Sequence, residues 1–140
     1  MADKQLADWI QEHLDRYLAS DGEDGHMWNG LPTLLLTTKG RKSGDDRQLP
    51  LIYGESNGAY ILVASKGGHS HHPSWYLNLD ANPDIELQVK ADRFVAKART
   101  ATGDERAKLW DLMAQLFPTY NDYKIRAGSR KIPVVVCERV

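Results

Sequence analysis

The stretch Thr37 to Leu51, TTKGRKSGDDRQLPL, constrains this chain more than any other. It is polar, punctuated by glycine, and set between the apolar runs Leu34-Leu35-Leu36-Thr37-Thr38 and Leu49-Pro50-Leu51-Ile52-Tyr53. Runs of that length, bounded by Gly and Asp, suit two strands joined by a hairpin loop. The loop sets four cations, Lys39, Arg41, Lys42 and Arg47, against two anions, Asp45 and Asp46. Gly40 and Gly44 free the backbone to take positive φ and to turn N–H groups toward a ligand. Backbone amides with forked arginine donors suit a phosphate or a carboxylate. A solvated hairpin tip is the plainer reading of the same residues, and spacing alone favours it.

A chain of 140 residues is expected to form one domain with a real core. Its formal net charge of −1 argues against bulk nucleic-acid binding, so a basic site must be local. The single cysteine, Cys137, excludes an internal disulfide and fits a reducing compartment. It ends the apolar run Ile132-Pro133-Val134-Val135-Val136, where a buried, inert thiol is expected. No signal-peptide pattern opens the chain, and no apolar run approaches the roughly 20 residues of a membrane span. A cytoplasmic protein is expected.

Asp3 to Leu18 reads as an amphipathic helix. Leu6, Trp9, Ile10, His13, Leu14, Tyr17 and Leu18 recur at helical steps, and Asp3 can cap the start. That face would dock on the core; a lid over a pocket or loose membrane contact are sharper alternatives. Ser20 to Pro32 is a glycine-rich loop, whose Met27 and Trp28 would line a site or plug a gap. Asn57-Gly58 favours a tight turn before the strand Ala59 to Ser65. After a break at Lys66 to His72, Pro73 to Leu79 looks helical, with proline at the first position. Asn82-Pro83 ends it, and Ile85 to Val89 can pair with Phe94 to Ala101. Thr102 and Glu105 form a capping box for a helix carrying Leu109, Trp110, Met113 and Phe117. A short helical segment over Thr119 to Arg126 and a strand over Lys131 to Glu138 complete the chain. About six mainly antiparallel strands with interspersed helices predict an α+β fold with a small barrel-like sheet.

Familiar catalytic patterns are missing. His69, His71 and His72 lack the acidic or cysteine partners of a zinc site. Ser65, Ser70 and Ser74 lie nearby, but no Gly-x-Ser-x-Gly elbow frames a nucleophile. Neither a Gly-x-Gly-x-x-Gly turn nor a P-loop ending is present. Glycine-rich breaks after strands, a local cation cluster and loop aromatics point instead to a cofactor that carries the chemistry itself.

TTKGRKSGDDRQLPL, VASKGG, HPSWYLNLDANP and FPTYNDYKIRAGSRKIPVVVCERV together resemble the deazaflavin (F420)-dependent nitroreductase family. The likeness runs over roughly Leu34 to Arg139. It implies a split β-barrel with F420 in a basic groove, FMN being the less favoured cofactor. By resemblance, Lys39, Arg41, Lys42 and Arg47 would hold the phosphate and anionic tail, with Ser43 and Gly44 as donors. Pro50 and the strand end Ala64, Ser65, Lys66 and Gly67 would run along the deazaflavin, while Trp75 and Asn78 close that side. Trp28, Ile52, Phe117, Tyr120 and Tyr123 would line the acceptor pocket. The mechanism implied is hydride transfer from reduced F420 to a stacked acceptor, with Ser65, Tyr120 and Tyr123 as the catalytic O–H groups. For both tyrosines a hydrogen-bonded core or lid aromatic is the alternative.

Where nitroimidazole-reducing relatives carry tyrosines, this chain has Ile52 and Phe117. A more apolar pocket suits a quinone or another flat acceptor better than a nitroimidazole, with nitroaromatics as the alternative substrate. Trp9 and Leu14 would put the N-terminal helix near a membrane if quinones are drawn from there. Small split barrels often pair, so a homodimer is expected. A non-catalytic carrier of F420, FMN or a fatty acid is the reading from another class.

Overall fold

The computed structural model describes residues 2–28 and 30–140, with side chains from 8 onward. The expected cap Asp3 and the helix-face residue Leu6 lie outside the described side chains. Helix α1 (Ala2–Ser20) leads into a short strand β1 (Met27–Trp28). Strands β2 (Leu31–Lys39) and β3 (Asp46–Ile52) form the expected hairpin, antiparallel from Thr33↔Ile52 to Lys39↔Asp46. Pro50 is tolerated in β3 because that strand is paired on one edge only, leaving no ladder bond for the missing N–H to make.

The other edge of β2 pairs with β6 (Asp84–Val89), and β6 with β7 (Asp92–Thr100). The order continues through β8 (Val134–Arg139) and β5 (Ala59–Val63) to β4 (Gly54–Ser56), every pairing antiparallel. Only Tyr53 separates β3 from β4. That one stretch therefore pairs with β2 at one end of the strand order and β5 at the other, which curls the sheet into a half-barrel. The α+β split-barrel expectation holds, with eight strands in place of about six. The two extra ones, β1 and β4, span two and three residues, too few for any periodicity to mark. Asn57 and Gly58 both take positive φ, 51° and 80°, and close β4 onto β5 in the two-residue turn their types favour.

The two faces of β5 and β8 explain why both read as unbroken apolar runs. Leu62, Val135 and Cys137 point into the barrel with Leu34, Leu36 and Leu87. Ile61, Val63, Val134 and Val136 point outward, beneath α3 (Gly103–Leu116) and α4 (Thr119–Ala127), whose Leu109, Trp110 and Met113 cover them. Helix α1 docks through its C-terminal half, where Leu14 and Tyr17 pack on Leu35. The fully buried Tyr17 hydroxyl accepts the Lys90 N–H at 2.7 Å and lies 3.1 Å from the Thr33 carbonyl, tying the helix to β2 and the β6–β7 turn.

Two local expectations change. Thr102 stands at the N-cap of α3 but makes no side-chain cap bond. Glu105 instead takes the Arg99 guanidinium in a bidentate pair at 2.6 and 2.8 Å, since a charged fork is a stronger partner than a neutral amide. Pro73 precedes α2 (Ser74–Ala81) as its extended N-cap, with ψ 152°, and does not occupy the first helical position.

Candidate functional site

The β2–β3 loop is braced by hydrogen bonds to itself. Gly40 donates to the Asp45 carbonyl at 2.8 Å, Gly44 to the Gly40 carbonyl at 2.8 Å, and Asp45 to the Ser43 hydroxyl at 3.2 Å. The expectation that both glycines present free amides to a ligand is thus corrected. Gly44 alone takes positive φ, at 76°, while Gly40 lies close to the loop itself: a Cβ there would stand 2.8 Å from Ser43 Oγ, which would have to rotate away, and 3.3 Å from the Asp45 carbonyl. Arg41 is fixed from outside the loop. Its backbone N–H and Nη1 both donate to Asn78 Oδ1, at 3.2 and 2.9 Å, while Asn78 Nδ2 donates to Thr38 Oγ1 at 3.3 Å. Asn78 is buried on α2, so its amide is engaged in holding the loop.

A hollow of about 460 Å³ opens beside this loop, lined by Arg41, Lys42, Ser43 and Arg47 and by Ser74, Trp75 and Asn78. Among the described residues, Arg41, Lys42 and Arg47 pair with no carboxylate. Lys39 behaves differently. Its ammonium pairs with Asp46 and borders a separate groove, so the structure does not bring it into the basic hollow. Gly44 likewise stays outside the lining.

A second hollow of about 380 Å³ adjoins the first, and Leu49 and Trp75 line both. Its walls are mostly apolar: Pro50, Leu51 and Ile52 from β3, Leu62 and Val63 from β5, and Phe117. Tyr120 and Tyr123 of α4 and the turn Ser65, Lys66 and Gly67 complete one side. Phe117 meets Tyr120 edge-on at 5.0 Å, and the two tyrosine rings lie 6.4 Å apart. Burial pushes the Tyr120 phenol well above its ordinary range, and its hydroxyl has no hydrogen-bond partner among the described residues. The opposite side is closed by Trp9, Ile10 and His13 of α1 and by Trp28, with Trp9 and Trp28 edge-to-face at 5.6 Å. The first helix thus docks as expected through its C-terminal half, and its middle also borders a pocket, as the lid alternative had it.

Ala64 differs from its neighbours. It is fully buried in the barrel core and does not line either hollow. Its carbonyl serves a residue that sequence reasoning missed. Arg130 donates to the Ala64 carbonyl at 3.1 Å, to that of His69 at 2.8 Å, and to Ser65 O and His72 Nδ1. Arg126 adds a bond to the Gly67 carbonyl at 3.1 Å. Between these clamps Lys66, Gly67 and Gly68 run at positive φ of 48°, 61° and 78°, a strained path for the lysine. Gly68 must be glycine, since a Cβ would stand 2.7 Å from the Tyr123 carbonyl. No local signal marks Arg130, whose acceptors lie 58 to 66 residues upstream. Several residues that line the hollow, His13, Thr33 and Pro73 among them, were likewise not foreseen as site residues, because their place there depends on contacts distant in sequence.

The comparisons with known proteins agree with one another. A family model described as F420H(2)-dependent quinone reductase matches residues 9–139. A curated F420H(2)-dependent quinone reductase of Mycobacterium tuberculosis is 37% identical over 147 residues, covering 96% of this chain and 98% of the relative. A solved structure of an F420-H2 dependent reductase (FDR-A) superposes with a TM-score of 0.70 at 42% identity, over 76% of this chain and 94% of that one. A second solved structure, described as a domain-swapped dimer, gives 0.73 at 40% identity, over 94% of this chain and 98% of that one.

Proposed function

The chain belongs to the F420H(2)-dependent quinone reductase family, and on that premise we propose that it is an F420H2-dependent oxidoreductase acting on a quinone. The observation that carries this reading is the junction of the two hollows: three unpaired cations on one side of Trp75, an apolar slot on the other. Such a pair fits an elongated ligand with an anionic tail and a flat ring. When bound, reduced F420 supplies a hydride, a two-electron donor that leaves the protein to bind, orient and exclude water.

Arg41, Lys42 and Arg47 would hold the anionic tail through charge-assisted bonds, with the Ser43 hydroxyl beside them. Asn78 would act through Arg41, whose fork it aims. Ser65, Lys66 and Gly67 would border the ring, the Lys66 ammonium adding positive charge at the mouth. Ile52, Phe117 and Pro50 give the acceptor an apolar bed, which favours a quinone over a nitroaromatic compound. Tyr120, with its phenol held protonated by burial, would donate a hydrogen bond to an acceptor oxygen without releasing the proton. Tyr123 and Ser65 offer further O–H groups in the same wall.

Exposed Trp9, Ile10 and Met27 flank the α1 side, which supports an acceptor drawn from a membrane surface. No helix among the described residues is long and apolar enough to cross one. We read the chain as one working domain of the cytoplasm, and a homodimer as its assembly, the latter from the dimeric structural neighbour. The test is oxidation of F420H2, followed by its absorbance, with a soluble naphthoquinone and with a nitroaromatic compound. Quinone-dependent oxidation that exceeds the nitroaromatic rate is expected. Oxidation by neither acceptor would overturn the proposal.

A further inference from the structure

We propose that His13 is the proton source for the acceptor in the apolar hollow, an assignment that rests on the reductase reading above. Reduction of a quinone by a hydride leaves an oxygen anion that must take up one proton. The hydroxyls around the hollow, Thr33, Ser65, Tyr120 and Tyr123, can relay or orient, but none is an acid at neutral pH. Lys66 is exposed on the turn after β5. Imidazole is the side chain suited to the task. His13 is the histidine in the lining.

Its geometry fits. His13 is only 4% exposed, and Nε2 lies 2.7 Å from the Gly25 carbonyl. A carbonyl only accepts, so that nitrogen carries hydrogen in either charge state. Nδ1, across the ring, has no partner among the described residues, although the residue borders the hollow. Gly25 makes the approach feasible, since a Cβ there would come within 3.1 Å of the ring. The Trp9 ring stands edge-on at 6.2 Å and backs onto Trp28, screening the imidazole from bulk water. Thr33 on β2 and the Gly25 carbonyl bring no charge. The charged or titratable groups that face the hollow are Lys66 on the turn and Tyr120 and Tyr123 on α4. His26, next in sequence to Gly25, is turned toward Tyr53 at 3.1 Å.

The step balances simply. Reduced F420, when bound, would supply the quinone with a hydride, that is two electrons and one hydrogen. The Nδ1–H bond of the imidazolium breaks as the O–H bond of the hydroquinone forms. Neutral imidazole remains, still bonded through Nε2 to Gly25, and a proton from solvent restores Nδ1–H after the hydroquinone has left the hollow.

The experiment combines His13→Gln, whose amide can still reach Gly25, with imidazole NMR of the wild-type protein. For the variant we expect kcat with a naphthoquinone to fall about 100-fold. The wild-type decline of kcat with rising pH should flatten, and F420 affinity and Tm should hold. In the cofactor-free wild type, added naphthoquinone should move the His13 ring signals and leave those of His69 and His71 in place. Unchanged kcat and pH profile in the variant, or wild-type His13 signals indifferent to quinone, would overturn the assignment alone. Absence of quinone turnover in the wild type would remove the reductase reading and the assignment with it.

Discussion

Among the described residues Lys42 and Arg47 have no carboxylate partner, whereas Lys39 pairs with Asp46. Under the proposed function that difference separates the loop cations that would serve a ligand from the one that would not. All are exposed, so a charge-assisted bond from either belongs at the low end of its range, about 1.5 kcal/mol or somewhat over tenfold in Kd. Lys42→Ala and Arg47→Ala should each weaken F420 binding by that factor, while Lys39→Ala leaves it within twofold. Equal losses in all three would mean that general charge, and not the geometry of the hollow, holds the cofactor. Tyr120→Phe should lower kcat for the quinone about tenfold or more with little change in F420 affinity, because only the pocket hydroxyl is removed. Parallel loss of both would make it a structural residue. At this scale the sequence was informative where residue type and chemistry coincide. Residue type marked Arg41, Lys42 and Arg47 as candidate anion donors and the family resemblance singled them out, but the Lys39–Asp46 pair depends on a cross-strand register.

At the scale of elements, the hairpin, the Asn57-Gly58 turn and the helices were legible because periodicity and turn chemistry are local signals. What escaped is non-local. Strands of two and three residues have no period, and the Thr102 cap lost Glu105 to an arginine on a neighbouring strand. The turn after β5 is the clearest case, since Arg130 and Arg126 hold it from α4 and the segment beyond. Arg130→Met would remove the guanidinium bonds to the Ala64, Ser65 and His69 carbonyls and to His72, of which, among the described residues, the Ser65 carbonyl alone keeps a second donor, the Gly68 N–H. We expect it to cost about 2–3 kcal/mol in urea unfolding and to lower kcat more than F420 affinity. Wild-type kcat in a stably folded variant would show that the turn needs no clamp.

At the scale of the whole molecule, the barrel core carries two buried acids, Tyr53 and Cys137, each pushed up to about 12 by burial. The folded state keeps both protonated, whereas the unfolded chain releases its thiol near 9 and its phenol near 10. Stability is therefore fully present below about pH 9 and should fall as pH rises from there toward 12. Urea midpoints across that window test the sign, and a flat profile would contradict the burial of both groups. Folding also brings the basic loop and the apolar slot to the two sides of Trp75, an arrangement that no single stretch of chain encodes. The cation cluster was readable in residues 37–51, but its adjacency to the hollow bearing Tyr120 and His13 had to await the fold. The most direct test of that architecture is titration of the protein with F420 and, separately, with FMN, following tryptophan fluorescence. Trp75, shared by both hollows, should report F420 binding strongly and tightly, with FMN much weaker; failure to bind F420, or preference for FMN, would contradict the account.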